Sequence, residues 1–253
     1  MGNITFTLKD ANGVEYNFNN TFKLSGLPFR MRINNQKVAF SHGGKDMGDN
    51  KIEARDITLR GKIHSNSTSD FESQLTALKA ACFKLNQTLY YDSDKYIKIR
   101  CVDRFREKPS ADGSFLVCSD IEIRFFAEDP FMYKNIETSN FTFLESSGQQ
   151  FDINNPGNVD VFVVIGMTTR VANNDFTIKN ITAGLSFSMQ DGNFVEGSTI
   201  IFDSINGTVK TNGDNSIRYF NGQFIRMVAG TNTFEYVGAT PCGVSIRYTE
   251  RNL

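Results

Sequence analysis

DIEIRFFAEDPFMYKN, Asp120 to Asn135, decides how this chain is divided. In its first half Ile121, Ile123 and Phe125 fall on one side of an extended backbone, while Glu122 and Arg124 fall on the other. That period of two belongs to a strand with one buried face. Its second half stops the strand, because Pro130 lacks the ladder donor and restricts Asp129 before it. The composition also changes here. Residues 1–135 carry 20 Lys/Arg against 17 Asp/Glu, whereas residues 136–253 carry 7 against 11 and are rich in Asn, Gly, Ser and Thr. We therefore expect a first domain over 1–135, a linker over 136–153 leading into the next domain, and a second domain over 154–253.

A chain of 253 residues can bury two modest cores. With 40% hydrophobic and 22% charged residues it reads as globular rather than disordered, and its 23 Phe without Trp supply the aromatic bulk. A formal net charge of -1 argues against a general nucleic-acid binder, which would show a concentrated basic face. Neither a secretion signal nor a long apolar membrane span is read in the sequence.

Upstream of the boundary, ITFTLKD and VEYNFN flank Asn12-Gly13, a strong hairpin signal. Further strands are predicted over 51–63, 95–102 and 120–127. One helix is predicted from Ser69, where Phe71, Leu75, Leu78, Cys82 and Leu85 recur on one face. Ser69 with Glu72 forms the expected capping box. The opposite face carries Gln74, Lys79 and Lys84, and Lys79 is a candidate interface residue. Downstream, short alternating runs over 160–167, 175–181, 185–190, 198–203, 207–211, 216–220, 224–228, 232–237 and 243–249 are separated by Asn, Gly, Asp or Ser. They describe a β-sandwich of jelly-roll type. The fold class is mainly β, with one helix in the first half.

SHGGKDMGDNKIEARDITLRG, Ser41 to Gly61, mixes glycines, a histidine and charges. A phosphate loop would hand its amides to a helix start, but here an alternating strand follows, so the glycines read as turn residues. His42, Asp46 and Asp49 would leave a metal incompletely coordinated, and they do not match the EF-hand ligand pattern. Cys82, Cys101, Cys118 and Cys242 have no CxxC spacing and only two histidines beside them in the chain, so they read as buried free thiols. No GxSxG or HExxH motif occurs, and Asp92 with Asp94 sits in a turn between strands. No catalytic residue, metal ligand or cofactor site is expected. Tyr219, Phe220, Phe224, Phe234, Tyr236 and Tyr248 invite a sugar-stacking alternative, although their alternation favours core burial for most of them. Lys98, Arg100, Arg104 and Arg106 lie on charged strands, with Asp103 and Glu107 making the run mixed in sign.

The order of these segments resembles the distal tail protein family of long, flexible-tailed bacteriophages, the siphovirus tail components. The resemblance begins at HGGKDMGDNKIEARDITLRG and continues through the helix, YIKIRCVDRF and DIEIRFFAEDPFMY. It extends over NNPGNVDVFVVIG, ITAGLSF, TIIFDSINGTV, FIRMVAGTNTFEY and VSIRYTERNL. It implies a non-enzymatic virion protein with a tail-tube-like first domain and a galectin-like outer sandwich. It further implies a homohexameric ring at the distal end of the tail. Its partners would be the tail-tube protein, the tail-tip hub protein and in some cases a receptor-binding protein, with DNA passing through the lumen without sequence-specific binding. Such a chain is made in the infected bacterial cytoplasm. The alternative is a carbohydrate-binding accessory module of a tail tip. Lys79, Lys98, Arg100, Arg104 and Arg106 are the residues expected at subunit interfaces or along the lumen.

Overall fold

The computed structural model describes residues 6–28, 35–37, 44–46, 52–109, 117–172, 175–190 and 194–253. Ile4, His42, Gly43, Gly48 and Asp49 lie outside them. The chain divides into two compact units, residues 1–132 and Tyr133–Asn252. Both are built of β-sheet, and the described residues hold a single α-helix. Among the described residues no helix is long and apolar enough to cross a membrane.

The first unit begins with β1 (Thr7–Lys9), β2 (Glu15–Asn17) and β3 (Lys23–Ser25), followed by the hairpin strands β4 (Asn35–Lys37) and β5 (Gly44–Asp46). After β6 (Arg55–Ser65) come α1 (Thr68–Cys82), β7 (Gln87–Tyr90), β8 (Lys95–Ile99), β9 (Cys101–Pro109) and β10 (Val117–Ala127). One sheet runs β8-β7-β1-β2 and a second β3-β6-β10-β9. Their inner faces share a core of Leu8, Leu89, Ile97, Ile57, Leu59, Ile121, Ile123 and Phe125, to which α1 adds Phe71, Leu78 and Cys82. Gly61 lets β6 approach its neighbour, since a Cβ there would run into the Phe22 ring.

Local chemistry sets the element ends, and in places it departs from the expected ones. The hairpin turn is longer than Asn12-Gly13: the Asp10 carboxylate accepts from the Asn12 and Val14 amides at 2.9 and 2.8 Å. Gly13 then takes φ +82°, which a side chain would resist. The helix starts earlier than Ser69, because extended Ser67 accepts from the Asp70 amide at 3.2 Å and caps it. It ends at Cys82, so Leu85 falls beyond the last turn and is exposed. The strand expected over 95–102 is two strands. Arg100 sits between them, its N–H donating to Phe126 and its carbonyl accepting from Asn86, as the chain passes from one sheet to the other.

The second unit carries β11 (Met132–Leu144), β12 (Gln149–Asn155), β13 (Val161–Phe162), β14 (Val164–Thr169), β15 (Phe176–Asn180), β16 (Leu185–Met189) and β17 (Thr199–Asp203). It continues with β18 (Thr208–Thr211), β19 (Asp214–Asn215), β20 (Phe220–Gly222), β21 (Arg226–Met227), β22 (Gly230–Gly238) and β23 (Cys242–Asn252). The stretch 136–153, expected as a linker, is thus largely strand. Its alternating aromatics and threonines fit a pleated surface. The sheet β19-β18-β17-β14-β23-β11 packs against β12-β22-β15-β16-β20. Phe187 of one meets Phe202 of the other with ring centroids 4.2 Å apart. Between the sheets lie Ile165, Met167, Ile246, Phe176, Ile178 and Phe234.

Cys82, Cys118 and Cys242 are buried, Cys101 is half-buried, and none is in a disulfide. Burial pushes the Cys82 thiol up to about 12 and raises that of Cys242. Because the thiolate is the nucleophile, iodoacetamide at pH 8 should modify at most Cys101 in native protein and all four after unfolding. Rapid native alkylation of Cys82, read by peptide mass spectrometry, would refute its burial.

Candidate functional site

The outer face of the β3-β6-β10-β9 sheet is a register of charges. Antiparallel pairing sets Asp120 of β10 between Lys62 and Lys108, and Glu122 between Arg60 and Arg106, with Lys23 beyond Arg60. Arg60 Nε donates to Glu122 at 2.7 Å, Arg106 stands 3.9 Å from the same carboxylate, and Lys62 lies 3.9 Å from Asp120. In the next row Arg124 faces Arg104, a like-charge pair relieved by two acids. Asp56 bonds Arg124 directly, and Asp103, the extra residue of a β-bulge, reaches it at 3.3 Å. The Arg60 hydrogen bond, helped by the fields of Arg60, Arg106 and Arg104, holds the Glu122 carboxyl below the usual carboxylate range. Exposed pairs of this kind add little to stability, so the face is chemistry more than stability.

The expected interface residues separate into distinct places. Arg104 and Arg106 lie on this face. Lys79 is on α1, paired to Glu107 at 3.2 Å with its ammonium 5.7 Å from the Phe105 ring centre. Lys98 and Arg100 instead border an open cleft of about 330 Å³ shared with Asn86 and Glu128. Lys98 stands 4.0 Å from Asp129, and Arg100 donates to the Asn86 side chain. Arg60, Lys62, Lys108 and Asp120 were not singled out in the sequence, and Glu122 was read only as one outward residue of its strand. Their signal is the polar half of each alternation, but only register shows that these halves coincide.

The second unit buries the aromatics that had invited a sugar platform. Phe234, Tyr236 and Tyr248 are inside, and Tyr219, Phe220 and Phe224 pack half-buried against the core. The two buried hydroxyls are committed, Tyr236 to the Ala239 carbonyl at 2.8 Å and Tyr248 to the Asn154 carbonyl at 2.6 Å. Among the described residues no group of three or more His, Cys, Asp or Glu is placed to hold a metal ion.

Residues 156–251 match the family model described as siphovirus-type tail component, C-terminal domain. The whole fold is similar to a crystal structure of the Dit (gp 19.1) protein of phage SPP1, with a TM-score of 0.76 and 13% identity over 98% of this chain and 99% of that one. That protein is described as a paradigm of the hub adsorption apparatus in phages infecting Gram-positive bacteria. No curated protein matches the chain.

Proposed function

We propose that this chain, a structural tail protein of the siphovirus type, closes as six copies into a ring at the distal end of the tail, joining the tail tube to the tail-tip hub. The observation that carries this reading is the likeness to the SPP1 Dit protein over nearly the full length of both chains, which no single-domain module would give. In the ring, residues 1–135 surround the lumen and residues 154–253 project outward, where they are available to a receptor-binding protein. DNA passes through the lumen without sequence-specific binding. A closed ring repeats one heterologous contact, so one edge of each first domain must match the opposite edge of its neighbour. Lys79, Lys98 and Arg100, set apart from the charged sheet face, are the candidates for that contact.

Electron microscopy of native tail tips tests the arrangement. Six-fold symmetry with the first domain innermost is expected. A monomer in the virion, or a lumen formed by residues 154–253, would reject it.

A further inference from the structure

We infer that the outer face of the β3-β6-β10-β9 sheet contacts the phosphate backbone of duplex DNA, and that Asp120 and Glu122 keep this contact weak by engaging its cations from within the sheet. The inference deepens the ring reading, which supplies the DNA, but it is argued from the sheet alone.

The acids occupy the central strand and the bases flank them, so each row reads base, acid, base. Height matters as much as order. In the Glu122 row that side chain is 27% exposed, against 66% for Arg60 and 53% for Arg106, so an approaching ligand meets guanidinium before carboxylate there, whereas Asp120 stands at 53% beside Lys62 at 43%. Arg60, Lys62, Arg106 and Lys108 line an open cleft of about 440 Å³ together with Asp120 and Glu122. Along β9 the cations Arg104, Arg106 and Lys108 recur every second residue, about 6.8 Å apart in an antiparallel strand. A row of evenly repeated cations suits a phosphate backbone, whose charges also repeat regularly.

The face also lacks what a protein partner would use. Protein interfaces are depleted of charge at their core and enriched in aromatics, whereas none of the exposed large apolar side chains among the described residues lies here. A sheet of unopposed cations would hold a polyanion through many released counterions and resist its movement. One carboxylate shared by two arginines lowers that grip without removing the positive outer layer.

The test is binding of a fluorescein-labelled 20-base-pair duplex to the full-length protein, followed by anisotropy across a salt series. Wild type should bind weakly and lose affinity steeply with salt. Glu122→Gln, verified as folded by its thermal melt, should bind at least about fivefold tighter, with the salt slope steeper by about 0.9 for each phosphate gained. Arg106→Ala with Lys108→Ala should weaken binding several-fold. Folded Glu122→Gln and Asp120→Asn proteins with wild-type affinity would overturn the inference. So would an equal gain toward polyglutamate, which would make the face a dock for acidic protein. Protection of Lys62 and Lys108 from acetylation in DNA-free rings would also overturn it, because the face would then lie between copies. Six-fold rings without the Glu122→Gln gain defeat this inference alone, and the gain without rings defeats only the ring reading.

Discussion

Leu78→Asp is expected to leave no soluble folded protein. Leu78 is fully buried on the inner side of α1, between Phe71 and Cys82, in the core shared with Ile57, Leu59 and Ile123. Removing a buried leucine side chain costs about 2–5 kcal/mol by truncation alone. Placing a carboxylate without a partner in the same space adds several kcal/mol more, as ionisation or as a forced proton. Domain stabilities are about 5–15 kcal/mol, so the two effects together exhaust the stability of the unit. Soluble yield and near-ultraviolet circular dichroism measure the result, and a cooperatively folded variant with a wild-type melting temperature would refute it. Leu78→Met, which conserves volume, should cost less than about 1.5 kcal/mol. Lys79→Arg keeps the charge facing Glu107 and should stay within about 0.5 kcal/mol of wild type.

Asn232→Ala is expected to destabilise the second unit by about 3–5 kcal/mol, because it leaves several buried groups without partners at about 1–3 kcal/mol each. The side chain is fully buried at the start of β22. Its oxygen accepts from the Val228 amide and from Asn180 Nδ2, both at 3.0 Å. Its nitrogen donates to the carbonyls of Val228 and Gly230 at 2.8 and 2.9 Å. Asn180 donates onward to the Arg226 carbonyl, and buried Asn155 donates to Val159 and Val228. Three amides thus satisfy the loop backbone where β12, β15 and β22 come together. Chemical denaturation should show the loss, and the Val228 amide should exchange with solvent markedly faster. Exposed Asn221→Ala serves as the mild control. An unfolding midpoint for Asn232→Ala equal to that of wild type would show that water or a loop shift replaces the network.

The same asparagine marks the division between what the sequence disclosed and what it withheld. AGTNTFEY announced a strand preceded by a turn, because Phe234 and Tyr236 alternate and Gly230 permits the positive φ of +87° found there. Nothing local announced that Asn232 would bond Asn180, since their meeting depends on β15 pairing beside β22. The helix was legible for a similar local reason, through Phe71, Leu78 and Cys82 on one face. Its cap at Ser67 was missed because serine, threonine and aspartate crowd that stretch, and the end of β6 selects among them. The β-rich second half was legible from short alternating runs, while within 136–153 the alternation of Phe141 and Phe143 was outweighed by the Ser146-Ser147-Gly148 turn signal.

The sequence by itself determined most of the strand-and-helix content and the set of apolar residues available to the cores, because a period of two or 3.6 is a property of consecutive residues. It also determined that Glu122 and Arg124 share one side of their strand. Tertiary structure alone decided that Glu122 stands between Arg60 and Arg106, while Lys98 and Arg100 turn elsewhere. Register is the physical reason: hydrogen bonding between strands distant in sequence fixes which charges stand side by side, and a slip of one residue would carry every one of them to the opposite face.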